Sequence, residues 1–207
     1  MTAPTWTTPD ILTPHRLEDA LQHLTDYFTA TAYTGSYFER LGGGGDRQDI
    51  ADSITTDDLV ALSMLSVPVS GRAARQLLED PSQVEQLLAD IPRSANITRS
   101  HDRWLLEEGG PARDLWGALR RLPAFGPVRT SKLLARKRPH LIPVYDEVVR
   151  QQFGAQDSRG QWAAFSNMFR DAEFVDHLTR LRGAAGLSDI SLLRIADVIV
   201  WREGSAR

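Results

Sequence analysis

The 207-residue chain contains no cysteine. That excludes disulfides, thiolate zinc sites, cysteine-ligated iron–sulfur clusters and a cysteine nucleophile. It also suits a reducing compartment, and a cytoplasmic location is the expectation. No apolar run approaches the roughly 18 residues that span a bilayer, so no membrane partner is expected. The segment from Met1 to Trp6 lacks the basic and apolar regions of a signal peptide. The five histidines, His15, His23, His101, His140 and His177, show no metal-ligand spacing. Gly42 to Gly45 is not followed by the Gly-Lys-Ser/Thr of a phosphate loop. Neither a metal nor another cofactor is therefore expected. Sustained strand alternation is missing as well, which points to an all-α chain.

What is present is ordinary in amount and uneven in placement. Hydrophobic residues make up 42% and charged residues 25%, as in a globular protein, and the net charge is −3. Between Ala112 and Arg150, however, nine bases face three acids, an excess of six that leaves −9 elsewhere. Both lysines, Lys132 and Lys137, lie in that segment. A basic patch on an acidic body attracts a polyanion locally; the plainer reading is a solvated helix face.

Helical punctuation recurs along the chain. Thr13-Pro14 opens a first helix with Leu17, Leu21, Leu24 and Phe28 on one face. Thr55-Thr56-Asp57-Asp58 caps a helix apolar nearly all round, and Pro68 stops it. Ser70 and Asp80-Pro81 begin two more. Asp114 to Leu122 and Pro127 to Arg136 form a pair of helices, and Asp146 to Phe153 a short one. Gly160 to Leu181 carries two apolar stripes, and Ser188 caps the last helix. The flexible tetraglycine Gly42 to Gly45 is the expected lobe boundary. The expectation is two helical lobes in one compact unit: 1–45 with 151–207, and 46–150, the latter holding a hairpin at 114–136.

Leu122-Pro123-Ala124-Phe125-Gly126-Pro127-Val128-Arg129 reads as a tight turn between two helices. Pro123 sets its entry, and Gly126 is the expected position of a positive φ. Phe125 should tuck between the helices. The start of the second helix offers free N–H groups to a phosphate, with Arg129 and Lys132 adding charge. The alternative is an ordinary helical hairpin with a glycine turn.

This stretch resembles the helix-hairpin-helix DNA glycosylase superfamily, as does Ile142-Pro143-Val144-Tyr145-Asp146 with its trailing Arg150. A second block, Asp58 to Ser70, resembles that superfamily's helix ending in a Leu-Ser-x-Gln turn. The resemblance implies a glycosylase-like fold and duplex DNA as partner, bound at Leu122, Ala124, Phe125, Gly126, Val128, Arg129 and Lys132. It also implies a role for Asp146 as the catalytic carboxylate of a monofunctional base-excision enzyme. Tyr145 and Trp104 are pocket candidates. Three departures accompany it. Val128 stands where the lyase lysine would be, so no Schiff base is expected. Pro68 replaces the glutamine that fills the gap left by a flipped base, and Ala124 replaces a hairpin glycine. A non-catalytic nucleic-acid or protein-interaction module, with Asp146 only capping its helix, is the alternative reading. The same two blocks are also similar to an uncharacterised actinobacterial family, which carries no implied activity.

Overall fold

In the computed structural model, which describes residues 6–30 and 33–205, the chain is all-α, with ten α-helices joined by loops and 3-10 turns among the described residues. It divides into two compact units: Met1–Tyr33 with Pro143–Arg207, and Thr34–Ile142. The divisions fall before Thr34 and after Ile142, not at the expected 45 and 150. The tetraglycine lies inside the second unit. A methyl group on Gly45 would sit 2.7 Å from the Arg136 carbonyl oxygen and from Asp58 Oδ1. Its bare backbone permits a close approach rather than a flexible break.

The first unit contains α1 (Leu17–Thr29), α7 (Glu147–Gln152), α8 (Gln161–Met168), α9 (Ala172–Ala184) and α10 (Leu192–Ser205). Helix α10 is its axis, and α1, α7 and α9 all pack on it. Leu193, Ile195, Ala196, Val198, Ile199 and Val200 are all buried. Arg194 and Asp197 are buried among them and pair with each other, which makes the enclosure of these charges tolerable. Its N-terminal cap is Ser191, whose Oγ accepts from the Arg194 N–H at 3.1 Å, rather than Ser188. On α1 the buried residues are Ala20, Leu24 and Tyr27, while Leu17 is 42% exposed. The inward face is thus rotated from the leucine stripe, because Tyr27 stacks on Tyr33 and meets Trp201 edge-on.

The second unit contains α2 (Thr56–Met64), α3 (Gly71–Glu79), α4 (Ser82–Ala89), α5 (Pro111–Arg120) and α6 (Pro127–Lys137). Thr55 and Asp58 form a reciprocal capping box at the start of α2, a device worth about 1 kcal/mol. Helix α2 is less enclosed than its composition suggests, since Val60 is half exposed. Helices α2 and α5 both pack on α6, which is buried from Thr130 to Lys137.

The charges at the end of α6 are the main departure from the expected basic surface. Arg136, Lys137 and Arg138 are consecutive, and all three are buried. Asp58, itself fully buried, holds two of them: Oδ1 accepts from Arg136 Nε at 3.2 Å and Oδ2 from Lys137 Nζ at 3.0 Å. Lys137 also donates to the Ile50 carbonyl at 2.9 Å, and Arg136 to those of Phe38 and Leu41. Arg138 reaches the carbonyls of Ile91, Ala51 and Leu88 at 2.6–2.8 Å and the Asp52 carboxylate at 2.6 Å. Burial pushes the Lys137 ammonium below its ordinary range, with Asp58 pulling the other way. Such cations are tolerable in an interior only when nearly every N–H finds an acceptor.

Candidate nucleic-acid interface at the α5–α6 turn

Helix α5 begins with Pro111 in its first turn, and α6 begins with Pro127 after Gly126. Between them the chain turns on backbone hydrogen bonds that include Leu122 N–H to Leu119 O at 3.0 Å, Phe125 N–H to Leu122 O at 3.1 Å and Gly126 N–H to Ala124 O at 3.2 Å. Leu122 and Phe125 are buried, which seats the turn on the unit's core.

The left-handed residue is Ala124, at φ 61°, and not Gly126, which is extended at φ −77°, ψ 176°. Gly126 serves as the helix N-cap without a side chain. Helix α6 therefore has no side-chain cap. Pro127 has no N–H, and the N–H groups of Val128 and Arg129 have no acceptor among the described residues. Two free donors at the positive end of an 11-residue helix form an anion-binding arrangement.

Two guanidinium groups flank the turn. Arg120 is exposed, and its Nη1 donates to the Phe125 carbonyl at 2.8 Å. Arg129 is half-buried; it donates to the Ala124 carbonyl through Nη1 and to the Pro68 carbonyl through Nε at 3.0 Å. These bonds hold both guanidinium groups against the turn that leads into α6. Arg121 is exposed next to them.

Lys132, expected on this face, is buried, and its Nζ donates to the Leu65 carbonyl at 3.1 Å. It sits one turn further along α6, on the side facing the α2–α3 loop, and so helps to hold that loop. Arg129 and Lys132 thus fasten Leu65 and Pro68 to α6, joining the Asp58–Ser70 block to the hairpin. Ser66, between those anchor points, also has a positive φ, 59°. Ser66 and Ala124 are the only non-glycine residues with positive φ among the described residues, and they lie in the two loops tied to the start of α6. Strain of about 1–2 kcal/mol each persists only where surrounding bonds enforce it.

Asp146 is the N-cap of α7. Its backbone is extended, and Oδ1 accepts the Val149 N–H at 2.9 Å. The side chain is partly exposed. Tyr145, a pocket candidate, is instead a core residue of the first unit: its ring lies 6.3 Å from that of Trp6, in a cluster with Phe153 and Phe165. Burial pushes its phenol above the ordinary tyrosine range. Trp104, the other, lies in a 3-10 turn of the second unit, 56% exposed.

Among the described residues no group of three or more His, Asp or Glu could hold a metal ion, and no helix is long and apolar enough to cross a membrane. The inward destination of Arg136 to Arg138 is invisible in a charge count. Its signal in the sequence is the unbroken Arg-Lys-Arg-Pro at a helix end, together with an aspartate inside an apolar helix. No curated protein and no solved structure matches the sequence. A family model does match, across residues 20–204, and the chain belongs to that family of unknown function (DUF6308).

Proposed function

We propose that the chain binds duplex DNA through its sugar–phosphate backbone at the α5–α6 turn. The observation that carries this reading is the uncapped start of α6, with the Val128 and Arg129 N–H groups flanked by Arg120 and Arg129. A phosphate oxygen would accept from those N–H groups, and Arg120 and Arg121 would contact its neighbours along the strand. Contacts of this type position a duplex without reading its sequence. The Ser66 loop, fastened to the same helix turn, would meet the adjoining backbone.

A finer proposal is base excision by Asp146, supported by the resemblance at 142–150. Oδ1 is already oriented by the Val149 N–H. The carboxylate would stabilise positive charge on the sugar as the glycosidic bond breaks and would take a proton from the attacking water. The base would leave with the bonding electron pair. Capping alone supports the rival reading, a binding module without catalysis.

Fluorescence anisotropy with a labelled duplex tests the first proposal. Binding should weaken by about 10²-fold or more between about 50 and 200 mM salt, and in the Arg120→Glu/Arg121→Glu double variant. No binding at the lower salt would sink it. For the second, single-turnover assays with duplexes carrying alkylated, oxidised and deaminated bases are decisive. Asp146→Asn keeps the cap and should abolish base release; release unaffected by that change removes Asp146 from the chemistry.

A further inference from the structure

Two stretches of the second unit contain no acidic residue, Leu59 to Leu78 and Leu115 to Ile142. With 27 Asp and Glu among 207 residues, stretches of this length are exceptions in the chain. They are far apart in sequence, and folding joins them. Arg129 Nε donates to the Pro68 carbonyl at 3.0 Å, and Lys132 Nζ to the Leu65 carbonyl at 3.1 Å. Neither side of this junction supplies a carboxylate of its own to neutralise a cation or repel a phosphate.

The segment beyond Pro68 is open. Ser70, Gly71 and Arg72 are exposed, and a methyl group on Gly71 would meet nothing within 4 Å. The Ser70 Oγ accepts the Ala73 N–H at 3.4 Å, which starts α3 and puts Arg72 in its first turn. Ala73 and Leu77 form the buried side of that helix. The arginines of the second unit differ in what holds them. Arg136 and Arg138 are enclosed, Arg120 and Arg129 bond to the turn, and Arg75 lies 3.7 Å from Glu79. Arg72 and Arg121 alone make no hydrogen bond, ion pair or ring contact among the described residues. Both stand at the junction: Arg121 begins the turn into α6, and Arg72 follows the loop that Arg129 fastens. A guanidinium with no internal acceptor can take a phosphate without first giving up a bond.

We propose that Arg72 is a further phosphate contact of the duplex site, and that Arg129 is the positioning residue that sets it there; this rests on the reading of the α5–α6 turn as the phosphate-binding surface. Arg72 is four positions after Pro68, at most about 14 Å of chain. Each strand of a duplex carries a phosphate about every 3.4 Å of axis, so Arg72 and the start of α6 meet phosphates a few nucleotides apart. Arg72 adds affinity and orientation and reads no base.

Anisotropy titrations of a labelled duplex with the full chain, between about 50 and 200 mM salt, test this. Arg72→Ala should lower the slope of log affinity against log salt by about one and weaken binding about tenfold at the lower salt, with the melting temperature unmoved. Arg75→Ala, one turn further along α3, should change the slope little, because its charge is already opposed by Glu79. An equal loss in Arg75→Ala would mean that the duplex feels the general charge of α3, and would overturn the assignment to Arg72. Arg129→Met keeps the aliphatic stem and cuts the tie to Pro68. In that background Arg72→Ala should weaken binding by less than twofold; additive losses overturn the positioning role of Arg129. If Arg72→Ala binds as the unaltered chain does while Arg120→Glu/Arg121→Glu still weakens binding, this proposal fails and the hairpin reading stands. No binding by the unaltered chain at the lower salt removes both.

Discussion

The two ends of α6 carry similar residues with opposite fates. At its C-terminal end Arg136, Lys137 and Arg138 turn inward and are consumed by Asp58, Asp52 and a set of loop carbonyls. Beside its N-terminal end Arg129 and Arg120, the last residue of α5, bond to the turn and the Pro68 loop, and the first N–H groups of α6 are unclaimed. Arg136 to Arg138 are enclosed by the acceptors that converge on them, whereas Arg120, bonded to a single carbonyl, stays exposed. A count of basic residues cannot make that distinction; partner geometry does.

The contrast breaks most visibly at Asp58. Asp58→Asn leaves Arg136 and Lys137 buried beside a neutral group and should destabilise the second unit by about 3–5 kcal/mol. Urea unfolding would measure this, and a loss below about 1 kcal/mol would show that the buried cations do not depend on the carboxylate. Arg138→Met is next: it strips donors from the Ile91, Ala51 and Leu88 carbonyls, for an expected loss of about 3 kcal/mol in the same urea measurement.

At the other end the readout changes from stability to binding. Arg120→Glu/Arg121→Glu should leave the melting temperature almost unmoved. In anisotropy titrations across a salt series, the slope of log affinity against log salt should fall by about one for each phosphate that no longer meets an arginine. Lys132→Gln should lower stability through the Leu65 carbonyl and leave the salt slope of the folded fraction unchanged, since its ammonium faces that carbonyl and not the turn.

Smaller effects sharpen the local picture. Ala124→Gly relieves a left-handed alanine and should stabilise by about 0.5–1 kcal/mol, after the extra backbone entropy of glycine is deducted. An unchanged or lower melting temperature would mean that the turn relaxes around the methyl group. In the first unit, Glu147 is pushed down to about 2 by hydrogen bonds from Arg150 and Gln151. Its folded pKa lies below the unfolded one, so its contribution is complete above about pH 4.5 and is lost as pH falls toward 2. The group is exposed, which limits the effect to a few tenths of a kcal/mol. Glu147→Gln should remove that part of the acid sensitivity in melts across this range.

The helices and their punctuation were legible in the sequence because they depend on neighbours a few residues away. The capping box of Thr55 and Asp58, the Ser70 cap, the start of α6 at Pro127 and the cap of Asp146 on α7 all follow from local hydrogen-bonding chemistry. The candidate site was legible only in part. Leu122, Phe125 and the uncapped α6 start could be read from turn chemistry, but Ala124 rather than Gly126 took the positive φ. Lys132 went to a carbonyl 67 residues away.

What the sequence by itself determined is an all-α chain with these helix starts, because 3.6-residue periodicity and caps are short-range. What only the tertiary structure decided is the role of each charge. A lysine or arginine is a solvent-facing cation or an internal tie according to which distant carbonyls and carboxylates folding brings within about 3 Å.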